Sequence, residues 1–269
     1  MSYAAITVEQ LGPVTRILHN RPEARNAENE QLLDEMDQAL AAANNNPDVR
    51  VIIIGGTGDH FSAGHDVIEG VTKRPNLSVE QRWAYEEKHF FEYAMRIWDS
   101  PKPTIAQVQG ACVAGAFAVA NMCDLIVCAD DAFFSDPVCQ TMGAAAVEML
   151  VHPWVMGARQ AKEFLYTGRR LPAQEALQWG LINRVVPRAQ LEEETLALAN
   201  HIAKAPPFAI KLTKRSIHRA LDMQGWRTSL QAHFDTHELS HLTDEFVQRR
   251  AGGRRDTIAQ NKSLEIRKT

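Results

Sequence analysis

The chain has 269 residues, a formal net charge of -4 and a hydrophobic content of 45%, ordinary values for a globular enzyme. This charge, with a pI near 6.2, argues against a general nucleic-acid-binding protein. No apolar run approaches the roughly 20 residues that span a bilayer, and the first residues show no signal-peptide pattern. The cysteines form no Cys-x-x-Cys pair, which predicts reduced thiols in a cytoplasmic protein without membrane association.

Strands and helices alternate in the first part of the chain. An apolar face at Leu32, Leu33, Met36 and Leu40 predicts one helix, and residues 78–98 predict a longer amphipathic one. This alternation predicts an α/β layered structure. The predicted strands are 4–10, 14–19, 51–54, 104–108, 125–129 and 132–134.

Beyond Leu171 the periodicity predicts helices alone, whereas strands and helices alternate in the first part of the chain. We therefore predict two regions, an α/β core over 1–200 and a helical C-terminal subdomain over 201–269. The helices predicted after Leu171 are 172–179, 192–204, 209–223 and 225–249.

Small residues crowd the stretch from Gly110 to Asp124, which follows a predicted strand and leads into a helix. Such a loop lets an oxygen atom approach the free backbone N–H groups at the start of the helix, where the helix dipole favours negative charge. An oxyanion hole can be built from backbone in this way. The alternative is that the small residues only allow the helix to pack tightly on its sheet.

Several ordered motifs together resemble the crotonase (enoyl-CoA hydratase/isomerase) superfamily over nearly the whole chain. The resemblance implies a spiral of ββα units with a C-terminal helical trimerisation subdomain. It also implies a homotrimer or homohexamer and an acyl-CoA thioester ligand, with coenzyme A entering only as part of the substrate. The motifs are Arg21-Pro-Glu-Ala-Arg-Asn26, Phe61-Ser-Ala-Gly-His-Asp66, Pro103 to Gly115, Met122-Cys-Asp124, Tyr166-Thr-Gly168 and Glu175 to Pro187.

The resemblance assigns two oxyanion N–H groups, those of His65 and Gly115. The His65 side chain is either a general base, because imidazole titrates near neutrality, or a partly exposed loop side chain. The family's contacts to the CoA nucleotide map to Ala24 and Arg25 and to Ala63, Asp66 and Val67. Arg25 is either a phosphate donor or a solvated surface arginine, and Asp66 is expected to cap a turn.

Two positions depart from the family pattern. Hydratases of the family divide acid and base work between two glutamates. Ungapped alignment places Ala118 at the first of these positions and Val138 at the second. Neither side chain transfers a proton, so standard two-glutamate hydration is not expected.

Nearby carboxylates are the remaining candidates for proton transfer. Glu148 lies near a third position, which dienoyl-CoA isomerases and a dehalogenase of the superfamily fill with aspartate. His152 follows at i+4 and would share a face with Glu148 on a continuous helix. Asp136 is either a second candidate or a turn residue before Pro137. The alternative for Glu148 is a surface carboxylate.

The expected function is therefore an acyl-CoA enzyme of this superfamily, a lyase or isomerase of the kind found in fatty acid metabolism. Its oxyanion hole would stabilise an enolate, while Glu148 or Asp136 supports isomerisation, hydrolysis, decarboxylation or an altered hydration. The alternative is a non-catalytic acyl-CoA binding protein with the same fold. No metal site is expected, because the histidines look scattered, without ligand spacing.

Overall fold

The computed structural model describes residues 3–252, in which nine strands form two sheets. The strands are β1 (Ile6–Leu11), β2 (Val14–His19), β3 (Val51–Gly56), β4 (Thr104–Val108), β5 (Ala111–Val113), β6 (Leu125–Ala129), β7 (Phe133–Ser135), β8 (Leu171–Pro172) and β9 (Arg184–Val186). The larger sheet has the order β1-β2-β3-β4-β6-β9, and the smaller has the order β5-β7-β8.

Helices cover the sheets and dominate the C-terminal part of the described chain. The helices are α1 (Glu30–Asn45), α2 (Val67–Lys73), α3 (Val79–Glu86), α4 (Tyr93–Trp98), α5 (Gly115–Met122), α6 (Val138–Thr141), α7 (His152–Met156), α8 (Ala158–Thr167), α9 (Ala173–Gln178), α10 (Leu191–Ala203), α11 (Pro207–Met223), α12 (Trp226–Ser240) and α13 (Asp244–Gly252). Within residues 3–252 no helix is both long enough and apolar enough to cross a membrane.

The larger sheet is parallel apart from the β1–β2 hairpin at its edge. Every residue of β3 and β4 is buried, as expected for parallel strands covered on both faces. The strands predicted at 4–10 and 14–19 form this hairpin, and the apolar strand predicted at 51–54 is confirmed.

The units β4–β5–α5 and β6–β7–α6 repeat one arrangement, in which a strand of the larger sheet is followed by a strand of the smaller sheet and a helix. A bridge between Ser62 and Cys112 extends the smaller sheet toward the segment after β3, which then leads into α2. The predicted spiral of ββα units and the helical C-terminal region are therefore confirmed.

Two predictions for the C-terminal part of the chain differ from the structure, and a third is untested. The prediction of helices alone beyond Leu171 was wrong, because β8 and β9 pair with β7 and β6. The helix predicted over 225–249 is broken, with α12 ending at Ser240 and α13 beginning at Asp244. The division at residue 200 stays a prediction, and residues 253–269 of its second region lie outside the described residues.

The helix predicted over 78–98 contains a π-helical turn at Glu87–Glu92, between α3 and α4. Ser78 begins α3 with a capping box shared with Gln81. A π-helical turn holds one residue more than the α-helical path and occurs frequently at functional sites. Here it carries Phe90, whose ring faces the cavity described next.

Candidate active site

A cavity of about 260 Å³ lies between α2, α3, the π-helical turn, the loop after α6 and the end of α12. Its wall includes both apolar side chains and a row of ionisable groups. The histidines and glutamates in its lining are Glu28, His65, Glu86, Glu148, His237 and His241.

Backbone pairing brings the first two of these groups together. The Glu28 N–H donates to Gly64 O at 2.9 Å, and the Asp66 N–H donates to Glu28 O at 3.0 Å. His65 lies between these two bonds and pairs with Glu28 as an isolated parallel bridge. The His65 N–H therefore points away from Glu28, and it donates to no acceptor among residues 3–252.

Gly115 begins α5, and its N–H likewise donates to no backbone acceptor within the described part of the chain. Ala114, the residue before it, has a φ of 53° and a ψ of -114°. A non-glycine residue with positive φ is strained, and such strain clusters at ligand-binding and catalytic sites. The strained Ala114 thus directs the chain into α5 beside the His65 segment.

The His65 imidazole is held on four sides. Its Nδ1 lies 3.2 Å from Glu28 Oε2, and its Nε2 lies 3.1 Å from Glu148 Oε2. The Phe90 ring stacks on it with centroids 3.7 Å apart. On the opposite side a Cβ added at Gly115 would lie 2.6 Å from Nδ1 and 2.7 Å from Nε2, so only glycine fits there.

Electrostatics favour a charged His65. Burial opposes protonation, but the carboxylates of Glu148 and Glu28 outweigh it and raise the pKa of His65 to about 10. Burial likewise opposes ionisation of Glu148, but His65 and His237 hold the pKa of this carboxyl well below its usual range. The site therefore holds an anionic carboxylate beside an imidazolium at neutral pH.

The loop that carries Glu148 is fixed by α12. His237 Nδ1 donates to Ala146 O at 2.8 Å, and His233 Nε2 donates to Val147 O at 2.9 Å. Ala146 itself has a φ of 60°, a second strained non-glycine residue at this site. These bonds place the Glu148 carboxylate 3.1 Å from His65 and 3.5 Å from His237.

Asp136 lies on the far side of this loop, outside the lining of the cavity. Its carboxylate accepts from the Val138 and Val147 N–H groups at 3.2 and 3.3 Å and lies 3.3 Å from His152 Nε2. Both Asp136 and His152 are 0% exposed. The predicted pairing of His152 with Glu148 on one helix was therefore wrong: Glu148 precedes α7, and His152 faces Asp136 instead.

Ala118 and Val138, the positions where glutamates were expected from the family pattern, are both buried. Val138 lines the cavity, and Ala118 lines a small void shared by Gly115, His65 and Glu148. Val138 and Ala118 thus each share a cavity or void with the Glu148 carboxylate.

The segments predicted to contact the CoA nucleotide lie together. The Ala63 N–H donates to Arg25 O at 3.0 Å, while the Arg25 side chain is exposed. Asp66 caps α2 by accepting from the Glu69 N–H at 3.1 Å, and it pairs with Arg21 at 3.0 Å. Ala63, Asp66 and Val67 line the cavity. Contact of these residues and of Ala24 with CoA stays a prediction.

Sequence reasoning missed Glu28, Glu86 and His237. Glu86 ends α3, where it was read as part of an amphipathic helix, and its Oε2 lies 3.5 Å from His237 Nε2. One signal was present: His237-Glu238-Leu239-Ser240-His241 places two histidines at i and i+4 with a glutamate after the first. The reading of the histidines as scattered overlooked this spacing.

Known proteins match the chain in sequence and in fold. The profile of the family described as Enoyl-CoA hydratase/isomerase matches residues 9–251. A short-chain-enoyl-CoA hydratase from Clostridium acetobutylicum is 31% identical over 220 residues, which cover 80% of this chain and 82% of the relative. A 4-chlorobenzoyl coenzyme A dehalogenase-2 from Arthrobacter sp. is 33% identical over 214 residues, with 79% and 77% covered.

A solved structure of an enoyl-CoA hydratase/isomerase from Xanthobacter autotrophicus Py2 superposes on the fold with a TM-score of 0.91. It is 35% identical, and the match covers 97% of this chain and 98% of that one. Since the family profile, the relatives and the fold all match along most of its length, the chain belongs to the enoyl-CoA hydratase/isomerase family.

Proposed function

We propose that the protein is an acyl-CoA enzyme in which Glu148 transfers the proton and the N–H groups of His65 and Gly115 stabilise the thioester oxygen. One observation carries this proposal. Glu148 is a buried carboxylate that lines the cavity beside both N–H groups, where Ala118 and Val138 supply no other proton-transfer group.

The oxyanion part of the proposal rests on the N–H groups of His65 and Gly115, for which residues 3–252 supply no backbone acceptor. Removal of an α proton from a thioester places negative charge on the carbonyl oxygen. Donors fixed before the reaction stabilise that charge without reorganisation, and each contributes about 10²–10³-fold in rate. The strained φ of Ala114 and the start of α5 are consistent with a backbone shaped for this purpose.

The proton-transfer part rests on the position of Glu148. Its Oε2 contacts His65 and its Oε1 lies near His237, so the two imidazoles hold the carboxylate in place. The chemistry proposed is enolate formation, leading to isomerisation or to an altered hydration. The relatives include a short-chain-enoyl-CoA hydratase and a 4-chlorobenzoyl coenzyme A dehalogenase, which supports the substrate class rather than one reaction.

The test is exchange of the acyl α proton. The purified protein is incubated in D₂O with a panel of saturated and β,γ-unsaturated acyl-CoA thioesters, whose α protons can be removed to give an enolate, and deuterium uptake is followed by mass spectrometry. We expect uptake with wild type and a loss of about 10²–10⁴-fold with Glu148→Gln. Glu163→Gln, which changes an exposed helix carboxylate, is the matched control.

A second function is favoured by the apolar Ala118 and Val138: an acyl-CoA binding protein without catalysis. Calorimetry on the same samples separates the two. Binding without exchange or turnover across the panel supports the second function. Absence of binding to every thioester contradicts both.

We further propose a homotrimer or homohexamer, as the resemblance implies. Helix α11 is 17 residues long and has no buried residue, and it exposes Phe208, Ile217 and Met223. Exposed apolar side chains on one helix suit contact with further copies of the chain. Light scattering during gel filtration should give three or six times 30.1 kDa, and a monomer contradicts this proposal.

A further inference from the structure

We propose that Glu86, His237, Glu238 and His241 form a binding site for a divalent transition metal ion of the Zn²⁺ type. One side-chain nitrogen or oxygen from each of these four residues lies within 4.8 Å of the others. All four residues are more than nine-tenths buried. Three of its residues also line the cavity, and His237 Nε2 lies 3.5 Å from Glu148 Oε1, so the metal site adjoins the proposed catalytic carboxylate.

The separations fit metal ligands better than hydrogen bonds. Glu86 Oε2 lies 3.5 Å from His237 Nε2 and 3.8 Å from His241 Nδ1. A hydrogen bond would bring these atoms to roughly 2.7–3.2 Å. Ligand atoms about 2.1 Å from a tetrahedral Zn²⁺ stand about 3.4 Å apart. The atoms are therefore spaced around a point that an ion can occupy.

Unsatisfied polar atoms mark the same place. Five buried atoms of the cluster have no hydrogen-bond partner among the described residues: Glu86 Oε2, His237 Nε2, Glu238 Oε1 and Oε2, and His241 Nδ1. A buried polar group without a partner costs about 1–3 kcal/mol, so such a concentration requires an explanation. A bound cation satisfies lone pairs on all four side chains together.

One histidine is already oriented as a metal ligand. His237 Nδ1 donates to Ala146 O at 2.8 Å, so the lone pair of the neutral imidazole is on Nε2, which lies 3.5 Å from both Glu86 Oε2 and Glu148 Oε1. Metal-binding histidines commonly donate their second ring nitrogen to a carbonyl in this manner. Helix α12 supplies His237 and Glu238 and ends beside His241, while Glu86 approaches from α3.

The ligand types indicate the class of metal. Two imidazole nitrogens and carboxylate oxygens suit Zn²⁺ and its neighbours better than Ca²⁺ or Mg²⁺, which prefer oxygen ligands. The two carboxylates also balance the charge of a divalent ion when both histidines are neutral. Without a metal, the alternative arrangement is a proton shared between Glu86 and Glu238.

The test measures metal binding directly on untagged full-length protein treated with a chelator. Zn²⁺ is titrated by competition with a chromophoric chelator, and Co²⁺ is followed by its visible absorption. We expect one Zn²⁺ per chain and a Co²⁺ spectrum typical of tetrahedral coordination. His241→Gln and Glu238→Gln should each weaken Zn²⁺ binding by at least about 100-fold, more than the loss of an outer partner would.

His201→Gln is the matched control, because His201 is an exposed residue of α10 and takes no part in the cluster. It should keep wild-type Zn²⁺ affinity within about threefold. Unchanged affinity in both ligand variants would place the ion elsewhere and overturn the proposal. Absence of saturable Zn²⁺ binding or of a tetrahedral Co²⁺ spectrum in wild type would overturn it even if a variant fails to fold.

Discussion

Two histidine–carboxylate pairs, His65–Glu148 and Asp136–His152, adjoin the loop that carries Glu148. Asp136 and His152 are 0% exposed, and the Asp136 carboxylate accepts two backbone N–H groups. His65 and Glu148 face the cavity, and 23% of the His65 side chain is accessible. Each pair joins an imidazole and a carboxylate, but the Asp136–His152 pair is enclosed and the His65–Glu148 pair is open to the cavity.

The sequence left both Glu148 and Asp136 as candidates for proton transfer, and their settings in the structure distinguish them. Either carboxylate can transfer a proton in principle, but only a group that faces a cavity can reach a substrate. Asp136 instead bonds to the backbone of Val138 and Val147, which positions the start of the loop. We propose that the enclosed pair contributes stability and the open pair contributes chemistry.

The largest difference between the two pairs is expected in the rate of acyl-CoA turnover. Glu148→Gln should lower the rate of acyl-CoA turnover by about 10²–10⁴-fold, because the proton-transfer group is removed. Asp136→Asn should change the rate of the folded protein by less than about tenfold. Steady-state kinetics on samples with matched circular dichroism provide the measurement. A larger loss with Asp136→Asn than with Glu148→Gln would reverse the assignment of the two pairs.

Replacement of Asp136 should affect the free energy of unfolding more than the rate of turnover. Asp136→Asn breaks a fully buried pair and should lower the free energy of unfolding by roughly 3 kcal/mol. Urea denaturation followed by fluorescence measures this change. Asp235→Asn, at an exposed position of α12, should stay within about 0.5 kcal/mol of wild type. Equal effects of the two variants would show that the enclosed pair does not stabilise the fold.

The pair of His65 and Glu148 should be disturbed by one methyl group added at Gly115. Gly115→Ala places a Cβ against the His65 imidazole, so the imidazole must move away from Glu148. We expect a loss of turnover of about 10²-fold, similar to the loss of one oxyanion donor. Gly70→Ala is the control, because its Cβ meets no atom within 4 Å although Gly70 also lines the cavity. Unchanged turnover in Gly115→Ala would contradict the proposed site.

A smaller effect is expected from pH. The carboxylates of Glu148 and Glu28 raise the pKa of His65 to about 10 against the effect of burial, whereas the unfolded chain releases this proton near pH 6.5. The folded state therefore holds more protons between these values. The stabilisation from His65 is complete below pH 6.5 and is lost as the pH rises through about 10.

The measurement compares wild type with His65→Gln in urea denaturation at several pH values. Relative to the variant, wild type should lose at most about 1.4 kcal/mol per pH unit over this range. His201→Gln, at an exposed position, should follow wild type. Parallel curves for wild type and His65→Gln would show that His65 is not charged in the folded protein.

Helices and strands could be predicted where burial produces a recognisable spacing of apolar residues in the sequence. Residues 51–54 form a bare apolar run because β3 is covered on both faces, and α1 shows its buried face at helical spacing. Strands β8 and β9 were missed because they have two and three residues and include exposed positions. A strand of two or three residues forms by pairing with a neighbouring strand, and its own sequence is too short to show a pattern.

The site was predictable only in part. Its backbone elements followed from the motifs around His65 and Gly115, and Glu148 followed from the resemblance. The contacts of Glu148 come from segments far apart in sequence, such as His65 and His237, and no local pattern reports such tertiary distances. The spacing of His237 and His241 was readable, since helical neighbours at i and i+4 share a face.

The π-helical turn at Glu87–Glu92 has a consequence for how this pocket can diverge among relatives. Deleting one residue there would restore a continuous α-helix and rotate α3 by about 100° relative to α4. Tyr85 and Glu86 would leave the cavity wall, while Ile97 and the rest of α4 would keep their places in the core. A change of one residue in chain length can therefore re-line the pocket more thoroughly than any single substitution.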